Sequence, residues 1–248
     1  MRSIKRLCRR KNLNSLLVLL AAVSAPVLRG VIPHDPGAFT QGLEYRNDIL
    51  WETTGVYGSS TFRATSPLTG EVIGILQLPD SVFAEGLTFI NDSTAFVLTW
   101  REGTAYLIDT GTMAIAQEFT LENEGWGLAL AGDTLWQSNG SSMLYMRDKT
   151  TFALMDSVEV TLNGIPQGNL NELEFTGGLI LANQWQTSRI LFINRHTGTV
   201  ERVLNLSDYH PGTGGVLNGI AAGDNGELFC TGKNWPVTLI IGGLDSSD

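Results

Sequence analysis

A five-fold internal repeat is the feature that most constrains how this chain can fold. Each copy contains a segment in which one variable residue, often followed by Gly, stands just before Leu or Ile. The variable residue recurs at intervals of 44, 41, 45 and 47 residues. The five segments are Phe39–Leu43, Phe83–Leu87, Glu124–Leu128, Leu170–Leu173 and Leu217–Ile220. A period of this length indicates one supersecondary unit that is repeated around a common centre.

The residues between these segments predict short antiparallel strands. A second apolar stretch follows each segment, as at Leu50-Trp51, and then come a third and a fourth, as at Ala105–Asp109 and Val200–Leu206. Turns rich in Gly, Asn and Asp separate them, and no helical period is found outside the N-terminal region. Four strands in about 45 residues are typical of one propeller blade. The prediction is therefore an all-β, five-bladed β-propeller with four antiparallel strands per blade.

The last repeat runs out after its third strand, Thr238–Leu244. We expect the N-terminal stretch Val27–Pro33 to supply its fourth strand, which would close the ring and leave no open sheet edge between the first and last blades. A β-sandwich or two small β domains is the alternative interpretation, but neither explains five copies.

The N-terminus has the pattern of a secretory signal peptide. Six of the 16 Lys and Arg residues lie within the first eleven positions, and an apolar run, Leu16–Val23, ends in Ser24-Ala25-Pro26. We expect residues 1–25 to be cleaved, residues 26–248 to form a single β-propeller domain, and the protein to be exported to the periplasm or the extracellular space. An uncleaved membrane anchor is the alternative, although this run is short for a bilayer span.

Charge excludes one class of partner. Residues 26–248 carry 10 basic and 25 acidic side chains, a net charge of 10 − 25 = −15. Nucleic acid would be repelled by such a surface, whereas a cationic or neutral substrate is compatible with it. Cys230 is the one cysteine in this range, which excludes an intramolecular disulfide. No zinc-ligand spacing, phosphate-binding loop or Gly-x-Ser-x-Gly motif is present, so we expect no metal and no cofactor.

The repeat also predicts a site, because equivalent positions in successive blades surround the same channel. The variable position holds Gln41, Glu85, Trp126, Asn171 and Asn218. A second set follows 14 or 15 residues later and holds Gly55, Trp100, Gly140, Trp185 and Lys233. A hairpin places the start of an innermost strand beside the end of its neighbour, so both sets should open at one face. Indole walls with a few converging polar groups are typical of a small-ligand pocket.

Each of these residues has an ordinary structural interpretation when it is taken alone. A Trp is more often part of a core, Asn171 and Asn218 are common turn formers, and Lys233 could be a solvated loop residue. Glu85 could simply accept a hydrogen bond at a strand end. Their coincidence at repeat-equivalent positions favours a site.

Nine motifs, in this order and at this spacing, resemble those of the plant and bacterial glutaminyl-peptide cyclotransferases, which are five-bladed β-propellers. The resemblance covers nearly all of the chain after residue 25. The motifs are His34–Glu44, Gly55–Ser60, Phe83–Thr88, Thr99-Trp100, Glu124–Leu128, Leu170–Glu174, Ala182–Trp185, Leu217–Ala221 and Thr231–Pro236.

The resemblance implies the reaction and the site. The implied substrates are peptides or proteins with an N-terminal Gln, whose α-amine attacks its own side-chain carboxamide to give pyroglutamate and ammonia. Glu85 is implied as the acid/base group. The pocket is implied to be lined by Gln41, Glu44, Trp100, Trp126, Asn171, Trp185 and Lys233.

Elementary chemistry is consistent with these roles. A carboxylate such as that of Glu85 can move a proton from the attacking nitrogen to the leaving ammonia, which is commonly worth about 10²–10⁴-fold in rate. Lys233 and the Asn171 amide could donate to the oxygen that gains charge, and the three indoles could hold the glutamine bent. Asn218 is expected to contribute to substrate binding.

Two alternatives stay open at this point. A non-enzymatic propeller could bind a peptide N-terminus or a small ligand in the same pocket. A calcium-dependent lactonase could use oxygen ligands from Glu44, Glu85, Asn171 and Asn218, although Lys233 in the same set disfavours a cation there. We expect a monomer that contacts neither nucleic acid nor, after signal cleavage, a membrane.

Overall fold

Five four-stranded antiparallel sheets surround a central channel in the computed structural model, which describes residues 25–244. The innermost strand of each sheet contacts the innermost strands of its two neighbours. The predicted five-bladed β-propeller is therefore confirmed. The predicted signal peptide, apart from its last residue, lies outside the described residues.

The blades are built from consecutive strands, with one exception at the N-terminus, where β1 is Val27–Pro33. Blade 1 contains β2 (Thr40–Arg46), β3 (Ile49–Thr54), β4 (Thr61–Thr65) and β5 (Val72–Gln77). Blade 2 contains β6 (Ala84–Asn91), β7 (Thr94–Thr99), β8 (Thr104–Asp109) and β9 (Ala114–Thr120). Blade 3 contains β10 (Leu128–Ala131), β11 (Thr134–Gln137), β12 (Met143–Asp148) and β13 (Leu154–Glu159).

A small hairpin, β14 (Thr161–Leu162) and β15 (Ile165–Pro166), precedes blade 4. Blade 4 contains β16 (Leu170–Thr176), β17 (Leu179–Gln184), β18 (Arg189–Asn194) and β19 (Val200–Asn205). Blade 5 contains β20 (Leu217–Ala222), β21 (Leu228–Gly232), β22 (Val237–Gly242) and, as its outermost strand, β1. A 3-10 turn, Ser207–Tyr209, is the one helical element in the described range, and no helix there is long and apolar enough to span a bilayer.

Strand β1 closes the ring by pairing antiparallel with β22, from Val27 opposite Gly242 to Pro33 opposite Val237. The sequence predicted this strand with the same bounds. Blade 5 thus combines strands from the two ends of the described chain. Hydrogen bonds between β1 and β22 hold these two ends together. Strand β22 is paired on both sides as a result, and β1 becomes the outermost strand of this blade.

A buried charge cluster reinforces the closure just after β1. The carboxylate of Glu52, which is 1% exposed, accepts hydrogen bonds from His34 Nε2 (3.0 Å), Thr40 Oγ1 (2.6 Å) and Arg63 Nε (2.8 Å). His34 Nδ1 faces the Trp235 carbonyl at 2.7 Å, so both ring nitrogens donate and the imidazole is cationic. Burial opposes both charges, but their mutual attraction outweighs it, raising the pKa of His34 and lowering that of Glu52 to about 2.

The hydrophobic core lies between neighbouring blades. Trp51 of blade 1 stacks on Phe62 at 5.3 Å between ring centroids and meets Phe89 of blade 2 at 5.2 Å. Trp136 occupies a similar place in the core between blades 3 and 4. Both tryptophans are less than a tenth exposed, because alternate residues of each strand point into the space between two sheets.

The innermost strands approach one another so closely that three blades need glycine at the position after the variable residue. A Cβ at Gly42 would lie 2.6 Å from the Leu87 nitrogen, and one at Gly127 would lie 2.1 Å from the Asn171 carbonyl oxygen. Gly86 sits in the same way and donates its N–H to the Trp126 carbonyl at 2.7 Å. Backbone therefore meets backbone around the channel.

We predict that Gly127→Ala destabilises the ring by about 1–3 kcal/mol or more, because the new methyl group meets rigid backbone on the next blade. Urea denaturation followed by far-UV circular dichroism measures this change. Gly168→Ala is the matched control, since a Cβ there meets nothing within 4 Å. Equal midpoints for the two variants would contradict the packing argument.

Candidate active site

One cavity of about 320 Å³ opens where the innermost strands begin. Five aromatic and four polar side chains form its walls. The lining residues are Phe39, Gln41, Phe83, Glu85, Trp100, Trp126, Asn171, Trp185 and Lys233. Seven of these nine are residues that the repeat and the resemblance had singled out, so the structure brings most of the predicted site together.

The strands position these side chains as the repeat argument required. Gln41, Glu85 and Asn171 lie at the starts of the innermost strands β2, β6 and β16. Trp100 and Trp185 directly follow the second strands β7 and β17 of their blades. Register places the two groups side by side, because the residue before each polar side chain pairs with the last residue of the second strand, as in Ala84 with Thr99.

Lys233 and Trp126 complete the pocket from blades 5 and 3. Lys233 follows β21, and Trp126 stands two residues before β10. The remaining members of the second set are glycines that leave room for the aromatic walls. A Cβ at Gly140 would lie 2.7 Å from the Trp126 ring, and one at Gly55 would lie 2.3 Å from the Phe83 ring.

Phe39 and Phe83 line the pocket but were not predicted as site residues. Each stands two positions before a polar lining residue, and alternate residues of an extended segment point to the same side. The signal was present in the repeated Phe-x-polar-Gly-Leu pattern of blades 1 and 2. The Lys233 ammonium lies 4.8 Å from the centroid of the Phe39 ring, and Phe83 packs on Trp100 at 5.6 Å.

Glu85 is the buried carboxyl of the pocket, with 4% of its surface exposed. Its Oε1 accepts a hydrogen bond from Gln41 Nε2 at 3.0 Å. Burial raises the pKa of Glu85 well above its usual range, the charge of Lys233 opposes this rise, and Glu102 and Glu124 add to it. Burial also lowers the pKa of Lys233, against the attraction of Glu85.

Asn218 lies behind Gln41 and does not line the pocket. Its Nδ2 donates to Gln41 Oε1 and to the Thr40 carbonyl, both at 3.0 Å. Because the Gln41 oxygen is engaged by Asn218, the Gln41 amide group must turn its NH₂ toward Glu85. The predicted contact of Asn218 with substrate is thus replaced in this geometry by an orienting contact to a lining residue.

Asn171 presents an unused acceptor. Its side chain is 2% exposed, and its Oδ1 has no hydrogen-bond partner among the residues described. Ser138 Oγ holds the Asn171 backbone carbonyl at 2.6 Å, which ties the strand in place. A buried acceptor without a partner at a pocket wall is suited to an N–H group of a ligand.

Two of the three pocket indoles are joined by a residue that the sequence reasoning did not single out. Glu124 Oε2 accepts from Trp100 Nε1 at 2.9 Å and from Trp126 Nε1 at 3.1 Å, while its Oε1 accepts from Arg101 Nε at 2.9 Å. Trp126 meets Trp185 edge to face, with ring centroids 5.5 Å apart. The motif Glu124–Leu128 contained this residue, but no pattern within one chain shows that its side chain reaches two indoles.

Glu44 lies further along β2, away from the pocket lining. It belongs to a group of buried carboxyls with Glu172 and Glu174, each of which accepts backbone N–H groups from another blade. The bonds are Phe89 N to Glu44 (2.9 Å), Ile220 N and Leu43 N to Glu172 (2.8 and 3.4 Å), and Ala222 N to Glu174 (2.9 Å). Here the position that follows Asn171 carries Glu172, whereas the other four blades carry glycine at the equivalent position.

Residues 25–244 contain no group of three or more His, Cys, Asp or Glu side chains arranged to hold a metal ion. The pocket holds one buried carboxyl, one buried ammonium, two amides and the aromatic walls.

Fold and site together define a five-bladed β-propeller with an aromatic-walled pocket where its innermost strands begin. The sequence model of the glutamine cyclotransferase family matches residues 14–241. A glutaminyl-peptide cyclotransferase of Arabidopsis thaliana is 38% identical over 215 residues, covering 82% of this chain and 67% of the relative. The chain therefore belongs to the glutamine cyclotransferase family and is an enzyme of the glutaminyl-peptide cyclotransferase class.

Solved structures agree with this assignment. The glutaminyl cyclase of Myxococcus xanthus superposes with a TM-score of 0.83 at 33% identity, covering 91% of this chain and 98% of that one. The WD40 domain of Neurospora crassa Pan2 has a TM-score of 0.51 at 9% identity, with 91% and 97% of the two chains covered, and shows the propeller fold alone.

We predict that the free energy of unfolding falls toward alkaline pH, because two carboxyls in the ring have raised pKa values. Burial raises the pKa of Glu44 to about 7 and, with the charge of Glu44, that of Glu174 to about 8, from 4.5 for both residues. Between pH 4.5 and these raised values, the folded protein keeps protons that the unfolded chain releases. The contribution of the two carboxyls to the free energy of unfolding is therefore complete below pH 4.5 and is lost as pH rises through 7 and 8. Each such proton corresponds to about 1.4 kcal/mol per pH unit.

Urea titrations at several pH values check this slope in the free energy of unfolding. Glu174→Gln should flatten it between pH 5 and 8, because the variant has no proton to lose at this position. Glu118→Gln, on the exposed face of β9, should keep the wild-type slope. A wild-type stability that rises over this range would refute the assignment.

Proposed function

We propose that this enzyme converts N-terminal glutaminyl residues of peptides and proteins to pyroglutamate with release of ammonia, using Glu85 as general acid and base and no metal ion. The observation that carries the proposal is the presence of a buried carboxyl, Glu85, and a buried ammonium, Lys233, in one aromatic pocket. Burial raises the pKa of the Glu85 carboxyl well above its usual range, and a raised carboxyl pKa favours a group that must both take and return a proton.

The reaction balances with groups that the pocket contains. The α-amine of the substrate, with an ordinary pKa of about 7.7–8.0, enters partly neutral and attacks the carbonyl carbon of its own side-chain amide. A C–N bond forms, and Glu85 takes a proton from the attacking nitrogen. The same proton is then delivered to the amide nitrogen as its C–N bond breaks. Ammonia leaves, and the five-membered lactam remains.

Gln41 has a fixed orientation in this scheme. Asn218 holds its oxygen, so its NH₂ group donates to the carboxylate form of Glu85 at 3.0 Å. This donor stabilises the charged, base-competent form, against the effect of burial. Asn218 thus supports the reaction through Gln41 and not through contact with the substrate.

Lys233 and Asn171 are placed to serve the transition state. The carbonyl oxygen of the substrate amide gains negative charge when the tetrahedral intermediate forms, and the Lys233 ammonium and the Asn171 amide NH₂ can donate to it. The partnerless Oδ1 of Asn171 can accept an N–H of the substrate in the same complex. One side chain would then orient the reacting group through both of its polar atoms.

The indoles supply the remaining requirement, which is shape. An intramolecular reaction is accelerated chiefly by holding its two ends together. Trp100, Trp126 and Trp185 surround a volume of about 320 Å³, at the lower end of the range for small-ligand sites and suited to one folded glutaminyl residue.

The decisive experiment measures ammonia release from a Gln-initiated dipeptide amide, with mass detection of the cyclised product. We expect turnover by the wild-type protein with and without chelator, and a loss of at least about 10²-fold in kcat for Glu85→Gln. Glu118→Gln removes an exposed carboxylate elsewhere and should remain fully active. Near-full activity of folded Glu85→Gln would exclude the acid/base role, and loss of wild-type turnover on chelation would exclude metal independence.

A second prediction concerns Lys233, whose charge lowers the pKa of Glu85. Lys233→Met removes that charge and should raise the pKa of Glu85 further, so the rising limb of the kcat–pH profile moves to higher pH. We also expect kcat to fall by about 10–10³-fold from the lost oxyanion donor.

Lys149→Met is the matched control, because Lys149 is ion-paired with Asp133 outside the pocket. An unchanged profile and unchanged kcat in Lys233→Met would remove this lysine from the mechanism.

A further inference from the structure

Two walls of the pocket are held by a single carboxylate oxygen. The indole N–H groups of Trp100 and Trp126 both donate to Oε2 of Glu124, at 2.9 and 3.1 Å. Glu124 itself is absent from the pocket lining. We propose that Glu124 is a positioning residue, which sets the separation and the rotation of these two indoles and so the shape of the glutamine pocket. This inference rests on the proposed function.

The carboxylate is fixed from a third direction as well. Arg101 Nε donates to Glu124 Oε1 at 2.9 Å, and the same guanidinium lies 3.8 Å from the centroid of the Trp100 ring. Trp100 follows the second strand of blade 2, and Trp126 precedes the innermost strand of blade 3. Glu124 lies in the connection between the two blades, so it couples walls contributed by separate sheets.

Apolar packing alone does not fix the positions of the Trp100 and Trp126 rings. Trp126 rests against Gly140 and the edge of Trp185, and Trp100 rests on Phe83 at 5.6 Å. Such ring contacts favour certain packing angles but are only weakly directional compared with a hydrogen bond. A hydrogen bond at the single N–H of each indole removes the remaining freedom, because it prefers one distance and a nearly linear angle.

A carboxylate suits this task better than a neutral group. An indole nitrogen can only donate, so two indoles that converge need an acceptor with two free lone pairs. Bonds to a charged acceptor are also about twice as strong as neutral ones. Burial tends to neutralise Glu124, but the bonds from Trp126, Arg101 and Trp100 outweigh it and lower its pKa, so the carboxylate stays ionised.

The position of these walls matters for ring closure. The substrate amine and its own side-chain amide react only when they are held in contact, and a misplacement of about 1 Å can cost about 10²-fold in rate. Glu124 would therefore affect catalysis without touching the substrate.

A competing explanation is purely electrostatic. The charge of Glu124 also raises the pKa of Glu85, together with Glu102 and against Lys233. Removal of that charge would then change the pH profile and leave the indoles in place. The comparison of two substitutions at position 124 separates the two explanations.

The test compares Glu124→Ala and Glu124→Gln with wild-type protein and with Glu118→Gln, a control at an exposed carboxylate. Ala removes the acceptor and the charge, whereas Gln removes the charge but keeps one oxygen that can accept both indole N–H groups. We expect kcat/KM to fall about 10–100-fold in the Ala variant and to stay within about threefold of wild type in the Gln variant. The near-UV circular dichroism of the indoles should change in the Ala variant alone.

Three results would overturn the inference. One is an Ala variant with wild-type kcat/KM and spectrum. Another is a Gln variant as impaired as Ala, with a shifted pH profile and an unchanged indole spectrum, which would assign the effect to charge.

The third result would come from Trp100→Phe and Trp126→Phe. These variants keep an aromatic ring but lack the N–H group, and the single variants remain informative if Glu124→Ala does not fold. Each should impair activity as the carboxylate's loss does, and each should add little when combined with Glu124→Ala, because the two changes remove the same hydrogen bond. Fully additive losses would contradict a shared role.

The spectral measurement keeps this inference separate from the proposed function. Absence of ammonia release by wild-type protein would refute the function, while the indole spectrum would still report whether Glu124 holds the two rings. An active wild-type enzyme with an insensitive position 124 would refute only the positioning role.

Discussion

Close approach of the five innermost strands is the constraint on which the rest of this structure depends. Glycine at positions 42, 86 and 127 lets backbone meet backbone, with a would-be Cβ within 2.1–2.7 Å of the next blade. The side chains just before these glycines are thereby gathered at the start of each innermost strand, around one channel. A pocket assembled from all five blades results, and the pairing of β1 with β22 completes the blade that supplies Lys233.

The pKa values of buried carboxyls differ between parts of this ring, because the carboxyls receive different hydrogen-bond donors and face different charges. Glu52 receives three side-chain donors, two of them cationic, and its pKa falls to about 2. Glu85 receives one amide and shares its pocket with one ammonium, and its pKa rises. Glu174 receives only backbone N–H groups and faces another carboxyl, and its pKa rises to about 8. The first arrangement suits a structural lock, and the second suits proton transfer.

Residues behind the pocket lining hold the lining residues in place through hydrogen bonds. Asn218 orients Gln41, Ser138 holds the Asn171 carbonyl, and Glu124 joins two indoles. Each of these bonds joins a lining residue to a group outside the lining. A propeller suits this division of labour, since its sheets fix the positions from which side chains reach across to one another.

The sequence by itself determined the number of blades, the strand that closes the ring and most of the pocket lining, because a repeat of near-constant length places equivalent residues at equivalent heights around one axis. Tertiary structure decided what each side chain does there. It placed Asn218 behind Gln41, moved Glu44 out of the pocket to face Glu174, and brought Glu124 to two indoles. These outcomes depend on rotamers and on competition for hydrogen-bond partners between blades, and periodicity along a chain carries no information about either.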